Sequence, residues 1–183
     1  MPRYQKDITH IVSKEEAEMM IERASNLRDK FLVAIFYLTG ARINELTKLR
    51  RENITQFEYY GEEYIRIKLI TEKRRKSGER FMIIERTLEI PKTAPFMDIV
   101  LSYIEQIKEG PLIKITDRRI RQIFDKLSDR TICPNMFRHS RLVKLARAGA
   151  TIDELMYWKG ASDTRSVSEY LRAKPIGRRL RIE

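Results

Sequence analysis

Apolar residues recur at helical spacing over the first third of the chain. Residues 13–16, Ser-Lys-Glu-Glu, have the form of a helix capping box, so a helix is predicted to begin there. A second and more apolar helix is predicted over residues 27–38, with Gly40 ending it. A third is predicted to begin at residue 42 and to continue to residue 50.

The pattern changes to alternation in the middle of the chain. Residues 59–63 are typical of a turn, and the alternating residues 64–70 predict a strand. A basic, glycine-containing loop over residues 73–78 separates this strand from a second extended segment, residues 80–90, which Pro91 closes. The middle of the chain is therefore predicted to be a small antiparallel sheet.

Helical spacing returns after Pro95, and five further helices are predicted. They are expected near residues 97–104, 117–127, 135–147, 151–158 and 163–172. The predicted fold class is mainly α with a small antiparallel β-sheet (α+β). We expect residues 1–12 to be a linker-like segment, residues 13–173 to form one domain, and residues 174–183 to be a C-terminal tail.

The composition limits the classes of function. The chain of 183 residues has one cysteine, Cys133, which excludes an internal disulfide and offers no zinc cluster. Its apolar stretches fall short of the ~20 residues that span a bilayer, and no secretory signal is recognised. We therefore expect a cytoplasmic protein without a membrane partner, a metal or a cofactor.

The charge indicates a polyanionic partner. Lysine and arginine total 37 against 26 acidic residues, which gives a net charge of +11. Nucleic acid is the commonest partner of such a surface. A well-solvated surface rich in ion pairs, as in thermostable proteins, is the alternative interpretation, and charge does not decide between the two.

Three short motifs carry the candidate chemistry. The first is Thr-Gly-Ala-Arg-Ile-Asn-Glu-Leu at residues 39–46, which places an arginine at a helix start and an acidic residue one turn later. The second is Asn-Met-Phe-Arg-His-Ser at residues 135–140. The third, Gly-Ala-Ser-Asp-Thr-Arg-Ser-Val-Ser-Glu-Tyr at residues 160–170, ends on a tyrosine.

In this order, and with a predicted sheet between the first two, the motifs resemble those of the catalytic domain of tyrosine recombinases, the phage-type integrases. The resemblance covers nearly the whole chain. It implies that fold and a site-specific DNA recombinase or integrase of the kind carried by mobile elements. Such an enzyme cuts and rejoins DNA through a 3′-phosphotyrosine intermediate without metal or ATP.

The resemblance assigns the nucleophile to Tyr170 and the phosphate-binding arginines to Arg42 and Arg138. Guanidiniums suit this task because each is permanently charged and holds two phosphate oxygens at once. Glu45 lies one turn from Arg42 and is expected to orient it, although the pair is also typical of an exposed helix surface. Tyr170 also fits a core position, because it belongs to an apolar stripe with Val167.

The general acid that protonates the leaving 5′-oxygen is a lysine of the central hairpin in this family. Lys73 matches that position best, and Lys76 is the alternative. The other cations of this loop, Arg74 and Arg75, are expected to bind the DNA backbone together with Lys76 and Arg165.

Two positions depart from the family pattern. Asn135 stands where the family has histidine or lysine, and Ala161 stands where it has histidine or tryptophan. An amide does not exchange a proton at neutral pH and alanine donates nothing, so slow catalysis is expected unless Lys159 or Arg165 compensates. His139 is expected to support the site.

The resemblance also implies the partners, which are double-stranded DNA and further copies of the chain, assembled as a tetramer on DNA. Family members normally carry a DNA-binding domain ahead of the catalytic one. A type IB topoisomerase, which relaxes supercoils with related chemistry, is one alternative. A non-catalytic DNA-binding regulator descended from a recombinase is the other.

Overall fold

The computed structural model describes residues 10–74, 81–161 and 163–171, with side chains described throughout except at 72–74 and 81–84. Helices and strands follow one another in the predicted order, helices first, then a sheet, then helices again. The elements are α1 (Lys14–Arg23), α2 (Leu27–Thr39), α3 (Ile43–Thr47), β1 (Ile54–Tyr59), β2 (Glu62–Arg74), β3 (Phe81–Pro91), α4 (Met97–Glu105), α5 (Asp117–Leu127), α6 (Pro134–Arg147), α7 (Ile152–Lys159) and α8 (Ser168–Leu171), with 3₁₀ helices at Arg51–Asn53 and Thr164–Ser166.

The helix boundaries follow local capping chemistry. The Ser13 hydroxyl accepts from the Glu16 amide at 3.1 Å, and the Glu16 carboxylate accepts from the Ser13 amide at 2.8 Å, which confirms the predicted capping box. Gly40 ends α2 in the left-handed conformation, with φ of 57°. A Cβ at this position would lie 2.9 Å from Cβ of Arg141 in α6, so the turn after α2 packs directly against that helix.

Two predicted helices are shorter than expected. The third helix ends at Thr47 because the chain after it pairs with another segment: the Leu49 carbonyl accepts from the Leu112 amide at 2.9 Å. The segment predicted as one helix over residues 163–172 is a 3₁₀ helix followed by α8. The Ser168 hydroxyl donates to the Arg165 carbonyl at 2.9 Å and Lys159 donates to the Ser166 carbonyl, so side chains bind two carbonyls that a continuous helix would pair with its own amides.

The sheet has three antiparallel strands in the order β1-β2-β3, of which the alternation predicts two. In β1 only Ile54 is buried, so alternation gives no signal there. Strand β2 is also longer than predicted and continues to Arg74, because its backbone pairs with β3 to the end, with Lys73 opposite Met82. Lys73 therefore lies in a strand and not in the predicted loop.

Buried side chains form two clusters that meet at α6. The larger one fills the space between the sheet and the surrounding helices, where Phe124 packs edge-on against Phe36 and Phe137 at centroid distances of 5.2 and 5.6 Å. The smaller cluster lies on the far side of α6 and includes Val167 and Tyr170. Helix α6 therefore holds the Tyr170 segment against the body of the protein.

Polar contacts fasten two further parts of the chain, the segment before α1 and the outer strand β3. The Val12 amide donates to the Ser140 hydroxyl at 2.8 Å, and the Lys144 ammonium donates to the Val12 carbonyl at 3.0 Å, so residue 12 is fastened to α6. On the outer strand β3, the hydroxyl of Tyr157 accepts from the Thr87 amide at 2.8 Å and donates to the Thr87 carbonyl at 2.9 Å. The predicted tail, residues 174–183, lies outside the described residues.

Candidate active site

The first motif places a buried carboxylate at the centre of the site. Glu45 is the third residue of α3, and its side chain is fully buried. It accepts from the Arg42 amide at 2.7 Å, from Arg42 Nη1 at 3.0 Å and from the Thr71 hydroxyl. The guanidinium of Arg86 binds it with both terminal nitrogens, at 2.6 and 2.9 Å. Glu45 is therefore not part of an exposed helix surface.

The ionisation of Glu45 is held by these contacts. Burial on its own raises the pKa of this carboxyl, and the hydrogen bonds and charge of Arg86 are the main contributions that oppose burial. The amide of Arg42 and the hydroxyl of Thr71 act in the same direction, and together they lower the pKa of Glu45 to about 2. The carboxylate is therefore charged at neutral pH.

The two arginines assigned to phosphate binding lie beside this carboxylate. Arg42 directly precedes α3 and keeps 31% of its side chain exposed. Arg138 is buried in α6, where its guanidinium donates to the Gly40 carbonyl at 3.0 Å and to the Lys159 carbonyl. Burial lowers the pKa of Arg138, and the nearby charge of Arg42 lowers it further. An anion bound here would stabilise both cations.

Arg86, in the middle of β3, was not predicted as a site residue. It is 2% exposed, and its terminal nitrogens bind Glu45. Its position in the sequence indicates its burial, because alternate residues of a strand share one face of the sheet and Leu88 and Ile90 lie on the inward face of β3. Arg86 lies two residues before Leu88 and therefore faces inward too. A charge at an inward position of a strand needs a buried partner. We call Arg42, Arg86 and Arg138, with Glu45, the arginine cluster.

The third motif brings a tyrosine to this cluster. Tyr170 lies in α8, is 5% exposed, and has its hydroxyl 3.3 Å from Nδ1 of His139. Burial raises the pKa of the phenol, the neighbouring carboxylate of Glu169 raises it further, and Arg138 opposes both. The tyrosine therefore belongs to the small core cluster, as the alternative interpretation expected, while its hydroxyl faces polar groups of the site.

The turn between α7 and the Tyr170 segment lies directly against the arginine cluster. Gly160 is left-handed, with φ of 56°, and a Cβ on it would lie 2.6 Å from Nη1 of Arg86 and 3.6 Å from Nη1 of Arg42. Just before it, the Lys159 ammonium donates to the Ser166 carbonyl and lies 4.9 Å from the ring centre of Tyr170. Ala161, just after it, is half-buried.

The other predicted residues are exposed, are described by their backbone alone, or lie outside the described residues. Asn135 is exposed in the first turn of α6, and Arg165 is exposed and paired with Asp163 at 3.1 Å. For Lys73 and Arg74 the structure gives the backbone position in β2 alone, and Arg75 and Lys76 lie outside the described residues. Of the two residues expected to compensate for Ala161, the structure brings Lys159 to Tyr170 and leaves Arg165 at the surface.

No metal or membrane feature occurs in the part of the chain that the structure describes. No group of histidine, cysteine, aspartate and glutamate there has the geometry to hold a metal ion. Among the same residues, no helix combines the length and apolar character needed to cross a bilayer.

The chain belongs to the phage integrase family, whose family model matches residues 10–175. It is 24% identical over 198 residues to tyrosine recombinase XerA of Pyrococcus horikoshii, a match that covers 100% of this chain and 63% of that protein. The chain thus spans less than two thirds of this curated relative. The resemblance stated from the three motifs is confirmed.

Solved structures of recombinases share the fold. The XerH site-specific recombinase bound to its difH substrate superposes with a TM-score of 0.65 at 16% identity, over 88% of this chain and 49% of that one. The catalytic domain of bacteriophage HP1 integrase gives 0.62 at 16% identity, over 90% and 88% of the two chains. The predicted fold class, mainly helical with a small antiparallel sheet, is confirmed.

Proposed function

We propose that this chain is the catalytic domain of a site-specific DNA recombinase that cuts and rejoins double-stranded DNA through a phosphotyrosine at Tyr170. The observation that carries the proposal is the arginine cluster beside that tyrosine. Three guanidiniums surround one carboxylate, so the cluster keeps an excess of positive charge next to a candidate nucleophile. Family membership supports the same reaction.

Arg42 and Arg138 are proposed to hold the non-bridging oxygens of the scissile phosphate. Negative charge builds up on these oxygens when the phosphorus becomes five-coordinate, and fixed cations stabilise that state without reorganising. Arg42 meets Glu45 with one terminal nitrogen at 3.0 Å, which leaves the rest of its guanidinium for a second anion. Arg138 is directed by two backbone carbonyls.

Tyr170 is proposed to attack the phosphorus. The new bond joins the phenol oxygen to phosphorus, the bond from phosphorus to the 5′-oxygen breaks, and the product is a 3′-phosphotyrosine with a free 5′-hydroxyl. The energy of the phosphodiester is retained, so rejoining needs no ATP. The phenol loses its proton as the new bond forms, and His139 is proposed to support the attack by accepting that proton as the hydrogen-bond partner of the hydroxyl.

The 5′-oxygen leaves with a proton, and Lys73 is proposed to supply it. Its backbone lies in β2 opposite Met82, near the end of a strand that the sheet holds in place. Lys76 remains the alternative. Arg74, Arg75, Lys76 and Arg165 are proposed to bind the DNA backbone.

The altered positions Asn135 and Ala161 are proposed to make the enzyme slow, with Lys159 as a partial substitute. The ammonium of Lys159 lies 4.9 Å from the centre of the Tyr170 ring, where it favours phenolate character in the attacking oxygen. The same two departures favour the second candidate function, a DNA-binding regulator without cleavage activity.

Assembly and location are proposals from the family. We propose that several copies, as a tetramer, join two duplexes, and that the protein acts as a DNA-associated, cytoplasmic enzyme of a mobile element, without metal. Its structural relative XerH was solved on its DNA substrate.

Covalent capture tests the proposal. The protein is mixed with random-sequence duplexes that carry a nick close to the random region, so that a short 5′-hydroxyl fragment diffuses away and traps the adduct. The wild type is expected to yield denaturant-resistant protein–DNA adducts of a common sequence, and Tyr170→Phe none. Equal recovery from both proteins would contradict cleavage and favour the regulator. Exchange between two captured duplexes, as opposed to relaxation of a supercoiled circle, separates recombinase from topoisomerase.

A further inference from the structure

Arg86 differs from the other two arginines of the cluster in what it contacts. Both of its terminal nitrogens bind Glu45, at 2.6 and 2.9 Å, and only 1% of its side chain is exposed. Arg42 gives Glu45 one terminal nitrogen, and Arg138 Nη1 stays 3.9 Å from the carboxylate. Arg86 is thus the full partner of Glu45, and the other two are not.

This difference decides which charges remain for a ligand. A buried carboxylate attracts whichever cations are in reach, and a two-pronged arginine pair is the strongest form of that attraction. Without Arg86, the nearest guanidiniums to Glu45 are those of Arg42 and Arg138. They would then turn toward Glu45 and away from a phosphate.

The position of Arg86 also rules out a direct contact with DNA. Its terminal nitrogens are occupied by Glu45, and the Gly160 turn lies over them so closely that a Cβ there would come within 2.6 Å of Nη1. The same turn follows the Lys159 carbonyl, which accepts from Arg138. Arg86 therefore lies behind the phosphate site and supports it from β3.

We infer that Arg86 is a positioning residue: it is the dedicated counter-ion of Glu45 and thereby leaves Arg42 and Arg138 available to bind the scissile phosphate. The inference rests on the proposed function for its reaction, but its electrostatic part concerns any phosphate at this site. Arg86 makes no contact with the reacting atoms. Its effect passes entirely through Glu45.

A double-mutant cycle tests this dependence. The variants are Arg86→Met, Glu45→Gln and the two combined, with Arg66→Met as the matched control, because Arg66 forms a half-exposed cross-strand pair with Glu89 at 2.7 Å on the same sheet. The rate of adduct formation on the captured duplex is measured at saturating protein, and unfolding temperatures are recorded for each variant.

With Glu45 present, Arg86→Met is expected to slow cleavage on the order of 100-fold, because both phosphate-binding arginines are displaced. In the Glu45→Gln background, removal of Arg86 should change the rate by less than about threefold. With Glu45 present, Arg86→Lys should retain more activity than Arg86→Met, because lysine keeps the positive charge. A further loss of tenfold or more in the Glu45→Gln background would overturn the inference, as would a wild-type rate for Arg86→Met. If Arg86→Met alone does not fold, the comparison within the Glu45→Gln background still decides.

A second measurement needs no DNA. Inorganic phosphate is titrated while the side-chain NMR signals of Arg42 and Arg138 are followed. Phosphate should move both signals in the wild type, bind at least about tenfold more weakly in Arg86→Met, and be little affected by the same change in the Glu45→Gln background. Signals that do not respond in the wild type would overturn the inference. A failure of covalent capture with a normal phosphate response would instead overturn the proposed cleavage activity alone.

Discussion

The arginine cluster and the segment over residues 163–171 that carries Tyr170 are built in opposite ways. The cluster joins side chains from α3 and the residue before it, from β3 and from α6, with Thr71 of β2 as a further partner, and its hydrogen bonds connect residues up to 98 positions apart. The tyrosine segment consists of helices of three and four residues, and its own hydrogen bonds are mostly local, as between Asp163 and Arg165. It is tied to the rest of the protein by Tyr170, which contacts His139, by Val167, which lies with Tyr170 in the small core cluster, and by Lys159, which donates to the Ser166 carbonyl.

The difference separates two requirements of the proposed reaction. Cations that stabilise a transition state must be in place before charge develops. Contacts between distant parts of the chain hold them there, and these contacts form when the protein folds. A nucleophile must approach, react and be released, which a short and locally bonded segment permits. Changes in the cluster are therefore expected to affect both stability and rate, and changes in the tyrosine segment chiefly rate.

The largest effect is expected at the exposed edge of the cluster. Arg42→Ala should slow adduct formation by about 1000-fold, because it removes a preorganised cation from the phosphate while Arg86 still satisfies Glu45. Single-turnover rates on the captured duplex measure the loss, with Arg66→Ala as the control. Cleavage at near wild-type rate would remove Arg42 from the proposed mechanism.

The second effect concerns stability and sets the cluster apart from surface pairs. The pKa of Glu45 is about 2 in the folded protein and 4.5 is its ordinary value, so ionised Glu45 stabilises the fold above pH 4.5. That stabilisation, about 3 kcal/mol, is lost as the pH falls from 4.5 toward 2. Glu45→Gln should therefore unfold more readily at pH 7 and show a flatter loss of stability in acid.

Urea unfolding at pH 7, 5 and 3 measures this effect. The control is Glu89→Gln, because Glu89 pairs with Arg66 in the same sheet but is half-exposed. Solvent screens such a pair, so its loss should change little. An equal acid dependence in the wild type and Glu45→Gln would mean that the carboxylate does not hold the cluster together.

The third effect tests the hairpin beside the cluster. Lys73→Ala should slow cleavage of normal DNA by about 100-fold and recover most of that loss when sulfur replaces the bridging 5′-oxygen, because a thiolate leaves without a proton. Arg42→Ala should gain much less from the sulfur. If the sulfur substrate instead rescues Lys76→Ala, and Lys73→Ala cleaves normal DNA at the wild-type rate, then the general acid is Lys76 and not Lys73.

The smallest effect is expected at Glu169, next to the proposed nucleophile in the tyrosine segment. Burial raises the pKa of Tyr170, and the carboxylate of Glu169 raises it further. Removing this charge in Glu169→Gln should lower the pKa of the phenol and speed the attack at neutral pH by about threefold. The rate should rise without a change in unfolding temperature. A slower variant would show that the pair of Glu169 with Lys159, at 3.8 Å, matters more than the phenol pKa.

Local signals predicted most of the fold. The capping boxes at Ser13 and Thr151 and the glycine at position 40 set helix ends through neighbouring residues alone, so the sequence displays them. Strand β1 was missed because Ile54, its first residue, is its only buried one, so the residues after it show no alternation of buried and exposed positions. The break before α8 was missed because side chains take two carbonyls there: the Ser168 hydroxyl donates to the Arg165 carbonyl, and Lys159 donates to the Ser166 carbonyl.

The site was only partly predictable for a different reason. Arg42, Glu45, Arg138 and Tyr170 stand in recognisable motifs, and the structure brings them together. Arg86 has no motif, since its importance comes from a partner 41 positions away. The sequence indicates only that a charged residue occupies an inward position of the strand, and it does not show that Glu45 is its partner.

The hydroxyl of Tyr157 has a consequence for self-association. Among the described residues strand β3 ends the sheet on one side, and the outer edge of a strand offers amides and carbonyls to which another chain can add. At Thr87 the hydroxyl of Tyr157 forms hydrogen bonds with both the amide and the carbonyl, and the half-exposed ring of Tyr157 covers this part of the edge. Tyr157→Phe keeps the barrier but releases the two backbone groups, so we expect it to favour strand-to-strand polymerisation of the protein when it is concentrated.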